Sequence, residues 1–257
     1  MRRVTGDQRC VSEHAEQSTF LGRMKEVLPL SATFLATEPV ITVLGAYLTL
    51  LYILLYSFLS GFDYILKNTY SLSNLQTGAC FGSITVGATL FALTAPGLYS
   101  WARHHTEYVR DAKISPEFRL WPAMATAPFL PISLFWLGWT NYAAVSIWYG
   151  LFACFTFGIV LCAMYVSSYE YIIDSYREHA AIALASITMV RYLIAGCMVI
   201  AARPMYEGIG VHWTMTLLGC VAVVIMPGPY LLYMYGDKLR HRSPYVKEDF
   251  DDNPDLE

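Results

Sequence analysis

The sequence predicts an all-α polytopic membrane protein with six transmembrane helices. Composition is the first reason: of 257 residues, 56% are hydrophobic and only 14% are charged, against about 25% charged in a soluble domain. Charge distribution is the second. No Asp, Glu, Lys or Arg occurs in residues 39–62, 68–102, 120–169 or 208–236, and about 20 apolar residues suffice to cross the hydrocarbon. The third is that the 120–169 run is long enough for two crossings, with "GWTNY" (Gly138 to Tyr142) as the turn between them. A soluble fold would have to bury all these runs in one core. The net charge of -3 is too small to suggest a nucleic-acid partner.

The chain opens with a tail, residues 1–37, whose first thirty residues are polar and mixed in charge. It has no apolar h-region, so no signal peptide is evident and the first crossing serves as its own insertion signal. Spans are expected at 40–65, 75–102, 120–140, 143–173, 180–202 and 212–235, within a bundle covering residues 38–236. The second span carries a GxxxG, Gly78 and Gly82, followed by Gly87; small residues let helix backbones approach closely. The third contains Pro122, Pro128 and Pro131. Each would cost about 3 kcal/mol inside a soluble helix. In a membrane helix the freed carbonyls can be satisfied by neighbouring helices or by hydroxyls such as those of Thr126 and Ser133. The closing tail, 237–257, is basic first ("DKLRHR") and acidic last ("EDFDDNPDLE"), and disorder is expected at its end.

Positive loops stay in the cytoplasm. With six spans both tails share a side, and that side holds Arg2, Arg3, Arg9, Arg23, Lys25, Arg103, Arg110, Lys113, Arg119, Arg177, Lys238, Arg240, Arg242 and Lys247. The other side holds Lys67 and Arg203. Both termini are therefore expected in the cytoplasm.

Enzyme chemistry is not expected. There is no GxSxG, HExxH, Walker loop or dinucleotide fingerprint, and His104, His105, His179, His212 and His241 fall in loops or at helix ends. Of the six cysteines, all but Cys10 lie in apolar runs, without CxxC or His-partnered spacing. They read as free thiols rather than metal ligands, and no cofactor is expected.

Arg191 stands in the middle of the fifth span, where a charge costs about 2.5–3.5 kcal/mol on insertion scales. It reads either as a snorkelling or structurally paired arginine, or as a residue for gating or substrate contact. Tyr52, Tyr56 and Asp63 share a narrow stripe of the first span. Two phenols and a carboxylate suit a cation-attracting vestibule; the alternative is an interfacial aspartate beside belt tyrosines. Glu170, Asp174 and Arg177 form a charged face at the end of the fourth span. That face could pair with Arg103, Arg110 or Arg119 of the preceding cytoplasmic loop, which also contains Glu117, or could be solvated.

Several strings resemble the second half of fungal major facilitator superfamily drug:proton antiporters, the group of multidrug, caffeine-resistance and polyamine exporters. "PEFRLWPAMATAPFLPISLFWLGWT" is similar to the group's loop and ninth helix, and "SSYEYIIDSY" to the end of its tenth. "VRYL" and "ARPMYEGIGVHWTMTLLG" resemble the eleventh helix and its exit, and "YMYGDKLRHRS" the C-terminal ending. "EPVITVLGAYLTLLY" and "FLSGFDYILKNTYSLS" resemble the seventh helix. Two positions depart from the pattern: Ser60 stands where many relatives have glutamate, and Val199 where many have proline. "RRVTGDQRCVSEHAEQS" is similar to the loop joining the two halves, so the first half is expected to be missing.

The resemblance implies one half of a major facilitator fold, an inverted pair of three-helix repeats. The first, second, fourth and fifth spans would border the cavity, and the third and sixth would face lipid. It places Tyr52, Tyr56, Asp63 and Arg191 on cavity-bordering helices. It implies half of a proton-coupled exporter of small organic cations or amphipathic drugs, inactive alone. Its partners would be substrate, protons, the bilayer and a complementary half. The plasma membrane is the expected location, with the vacuolar membrane as alternative. Two further readings stay open: a half-transporter active as a homodimer, and a non-transporting membrane interaction protein.

Overall fold

The computed structural model describes residues 35, 37–109, 116–142, 144–176 and 179–240. Most of the 1–37 tail and residues 241–257 lie outside the described residues, as do the side chains of Arg103, Arg110 and Arg177. Helix α1 is Pro39–Tyr70 and α2 is Asn74–Val109. A 3-10 turn, Pro116–Leu120, leads into α3 (Trp121–Thr126) and α4 (Phe129–Thr140). Then come α5 (Ile147–Tyr176), α6 (Ala180–Ile209), α7 (Val211–Ile225) and α8 (Gly228–Arg240). Taken as spans, with the 3-10 turn, α3 and α4 as the third and α7 and α8 as the sixth, six helices are long and apolar enough to cross a membrane. No strand occurs among the described residues.

Helices α1 and α2 run past the ends of the charge-free stretches that predicted them, to Tyr70 and Val109. α1 starts at Pro39, whose missing N–H is no loss in a first turn, and closes on Ser71 in the left-handed conformation, its N–H on the Lys67 carbonyl at 3.1 Å. Ile41, Leu44, Leu48, Leu51, Leu54, Phe58, Phe62 and Ile65 form its fully buried stripe, at the three- and four-residue spacing of one helical face. Between α6 and α7 the turn is the single residue Gly210, at φ +86, a conformation L side chains rarely adopt.

Among the described residues the main helix contacts are α1 on α6, α2 on α5, α4 on α7, and the third span (the 3-10 turn, α3 and α4) on α5. In spans, the first meets the fifth, the second meets the fourth, and the third meets both the sixth and the fourth. Exchanging the first three spans with the last three maps first–fifth onto second–fourth and keeps third–sixth, as an inverted repeat requires, but sends third–fourth to the weaker contact of first with sixth. Backbones come closest at glycines. A Cβ on Gly87 would stand 2.2 Å from the Phe155 carbonyl oxygen, and one on Gly158 would stand 2.3 Å from that of Ile84. The α2–α5 crossing is thus reciprocal. Gly78 and Gly82, the GxxxG pair, have nothing within 4 Å of a would-be Cβ; the packing glycine of α2 is Gly87.

The prolines of the third span break it rather than bend it smoothly. Pro128 separates α3 from α4, and with no N–H it cannot bond the Met124 carbonyl. Tyr230 of α8 donates its hydroxyl to that carbonyl at 2.7 Å. Pro131 frees the Ala127 carbonyl, which accepts the Leu130 N–H at 3.1 Å. The Thr126 and Ser133 hydroxyls, expected to serve the freed carbonyls, bond Pro122 and Leu130 oxygens instead. The carbonyls freed by Pro128 and Pro131 are thus met by a tyrosine of another helix and by a backbone N–H.

Exposure is uneven. Only 17% of the most apolar stretch of the second span and 28% of the fifth are buried, against 56% in the first. Exposed Trp139, Trp148 and Trp213 cluster at the end of the bundle away from the tails, and Trp101 and Trp121 at the other. Aromatic residues favour the two membrane interfaces in this way.

Candidate functional site

Arg191 is 4% exposed although it carries a charge in mid-span. Its guanidinium carbon lies 4.3 Å from the ring centroid of Tyr52, 5.4 Å from Tyr192, 5.6 Å from Tyr169 and 5.7 Å from Tyr165. Helical spacing builds this cage. Tyr165 and Tyr169 are four apart on α5, Tyr52 and Tyr56 four apart on α1, and Tyr192 follows Arg191 on α6. The rings support one another, with Tyr52 centroids 5.0 Å from Tyr56, 5.5 Å from Tyr192 and 5.8 Å from Tyr165. A cation over a tyrosine face gains about 0.5–2 kcal/mol. Four such faces match the insertion cost of about 2.5–3.5 kcal/mol, so rings take the place of a carboxylate. Burial excludes snorkelling: the side chain is enclosed by α1, α5 and α6.

Asp63 stands apart from this cage. It is eleven residues beyond Tyr52, about 16 Å along the helix axis, and its carboxylate holds Lys67 at 2.8 Å, with both side chains roughly half exposed. Of the four residues expected along the substrate pathway, the structure brings Tyr52, Tyr56 and Arg191 together and leaves Asp63 at the far end. Ser60 is half-buried and Val199 exposed.

At the end of the bundle near the tails, Arg119 ties three elements. Its Nε donates to Asp174 at 2.7 Å and its Nη1 to Glu170 at 3.3 Å. Its guanidinium carbon lies 5.5 Å from the Tyr99 ring of α2, and the Tyr99 hydroxyl lies 3.4 Å from Ser167. The expected pairing of the fourth-span carboxylates with the preceding loop is therefore made through Arg119. Glu117, buried beside it, packs near Gly236: a Cβ there would meet the Tyr171 hydroxyl at 2.7 Å and the Glu117 carboxylate at 3.3 Å.

Sequence reasoning missed Glu38, which is fully buried and accepts the Tyr176 hydroxyl at 3.0 Å. This bond joins the start of α1 to the end of α5. A glutamate directly before a proline reads as an ordinary helix entry, so only the fold shows its burial. Tyr165, Tyr169 and Tyr192 were also missed. Their helical spacing was visible, but their approach to Arg191 is tertiary. Among the described residues, no group of three His, Cys, Asp or Glu is placed to hold a metal ion.

With this geometry in view, the chain's likeness to known proteins is informative. It is 37% identical to the MFS-type transporter kojT of Aspergillus flavus over 95% of its own length and 44% of the relative's. It is 34% identical to an uncharacterized transporter of Schizosaccharomyces pombe, covering 96% of this chain and 46% of that one. It is 31% identical to the major facilitator superfamily multidrug transporter FLU1 of Candida albicans, covering 96% and 41%. The chain thus spans less than half the length of the relatives it matches. No family model matches it, and no solved structure does. Six spanning helices in an inverted arrangement, with transporters of major facilitator type as relatives, agree with one half of that fold. The relatives are transporters rather than enzymes.

Proposed function

We propose that the chain is the C-terminal half of a proton-coupled exporter that works by alternating access and is inactive alone. The observation that carries this reading is the end-to-end similarity to transporters more than twice as long. Exposure supports it. Of the four spans expected to border the cavity, the second and fifth are the least buried of the six, as a wall without its opposite wall should be, while the first is the most buried, at 56%. Of the two substrate classes expected from sequence, amphipathic drugs suit the aromatic surface around Tyr52. A cation-attracting vestibule was expected from Tyr52, Tyr56 and Asp63 together, and Asp63 is held by Lys67 instead. Both termini are assigned to the cytoplasm from the Lys/Arg asymmetry.

The test is efflux from a yeast lacking its own drug exporters, with the chain expressed alone or together with the amino-terminal half of a full-length relative. Gradient-dependent efflux of a fluorescent amphipathic substrate is expected only with both halves. Efflux from the chain alone, with a crosslinked dimer, would establish the homodimer instead. Failure of both, with the halves associated, would favour a membrane interaction protein.

A further inference from the structure

The crossing of α2 on α5 brings two thiols together. These helices are the second and fourth spans, so they run in the same direction through the bundle. A Cβ on Gly158 would stand 2.3 Å from the Ile84 carbonyl oxygen, so these two residues share one level of the crossing. One turn back on each helix, four residues before Ile84 and four before Gly158, stand Cys80 and Cys154. Cys154 is fully buried and Cys80 half-buried. The Cys80 thiol and the Ser83 hydroxyl are the electrostatic and hydrogen-bonding neighbours of Cys154 on α2. The Ser83 hydroxyl also meets the Cys80 carbonyl, at 2.8 Å. The same two helices wall a cleft of about 620 Å³, lined by Cys80 and Ser83 of α2 and by Trp148, Leu151, Phe152 and Phe155 of α5. Small-molecule sites run from about 300 to 1,000 Å³. Exposed Trp148 and Phe152 form its lip, and among the described residues no charged side chain lines it.

We propose that Cys80 and Cys154 form a dithiol site for aryl compounds of trivalent arsenic. The arene lies in the cleft against Phe152 and Phe155, and the arsenic bridges the two sulfurs. The step balances without a further reactant. An aryl arsenoxide loses its As=O bond and each thiol loses its S–H bond. Two As–S bonds form, and the oxygen leaves with both protons as water. Arsenic stays trivalent, so nothing is oxidised or reduced. Two features suit this chemistry to this place. Aromatic walls take up the ring by burial and by edge or face contacts. The bridged product is neutral, so no unpaired charge is left in an apolar site. Cys162 offers no such pair with Cys154: it is eight residues further along α5, about 12 Å along the helix axis. The site rests on the α2–α5 crossing alone and is independent of whether the chain is half of an exporter.

The purified full chain in lipid nanodiscs is titrated with phenylarsine oxide and read by mass spectrometry of the intact protein and of its peptides. One bridged adduct per chain is expected, joining the peptide that holds Cys80 to the one that holds Cys154. Excess mercaptoethanol, a monothiol, should leave it in place, and ethanedithiol should remove it, because only a dithiol offers arsenic an equivalent ring. Cys80→Ser and Cys154→Ala should each abolish the monothiol-resistant adduct, and Cys162→Ser should keep it. The peptide map of the unsubstituted protein needs no variant, so the test stands even where Cys154→Ala fails to fold. A bridge between other cysteines, an adduct that mercaptoethanol strips, or no adduct overturns the proposal. So does a folded Cys80→Ser protein that still holds arsenic against the monothiol.

Discussion

Arg119 Nε lies 2.7 Å from Asp174 Oδ2, fastening the start of the third span to the end of the fourth at the end of the bundle near the tails. The same guanidinium reaches Glu170 at 3.3 Å. One cation thus holds two carboxylates a helical turn apart that would otherwise repel each other. All three side chains are about one third exposed. A single pair in that setting is worth about 1 kcal/mol or less, and a network more.

Arg119→Leu should therefore destabilise the bundle more than Asp174→Asn does, because it leaves both carboxylates without their cation. Thermal unfolding in detergent checks the order, and a charge exchange of Arg119 and Asp174 should recover part of the loss. Equal melting of both single variants would show that the pair contributes nothing beyond one contact.

Tyr230→Phe should cost about 1 kcal/mol, the range of hydrogen bonds between membrane helices, because it strands the Met124 carbonyl. Pro128→Ala restores an N–H four residues after Met124. It should shrink the effect of Tyr230→Phe when the two are combined, a coupling that a double-mutant cycle measures. Strict additivity would mean that Tyr230 acts only through packing.

Gly87→Leu and Gly158→Leu should each abolish the folded bundle, since even a Cβ would stand within 2.3 Å of a carbonyl oxygen on the facing helix. Gly78→Ala and Gly82→Ala should leave it intact. Fluorescence-detected size-exclusion chromatography of tagged variants separates the outcomes. A monodisperse Gly87→Leu protein would contradict the α2–α5 crossing.

The spans were legible because charge cannot be hidden in hydrocarbon: long runs without Asp, Glu, Lys or Arg have few alternatives to a crossing. Arg191 was legible for the same reason, as an exception inside such a run. Its cage was not. Tyr165 and Tyr169 stand in a polar-looking segment near the end of the fourth span, and nothing local says which helix they face. Asp63 shared a stripe with Tyr52 and Tyr56, as helical periodicity requires, yet a stripe has length as well as direction, and Lys67 is its nearer partner. The GxxxG pair showed the same limit from the other side. Spacing identifies a face fit for close packing, but Gly87 is the residue that another helix reaches.

The central claim is that this bundle is one wall of a cavity whose opposite wall belongs to a complementary half. Two native thiols test it directly. Cys197 lies exposed on the fifth span and Cys220 exposed on the sixth, so one is expected to face the cavity side and the other lipid. Maleimide labelling in detergent micelles, read by mass spectrometry, is compared for the chain alone and for the chain co-purified with the amino-terminal half of a full-length relative. The account predicts that Cys197 becomes protected while Cys220 labels as before. Unchanged labelling of Cys197 in a stable complex of the two halves, or protection of Cys220 instead, would contradict it.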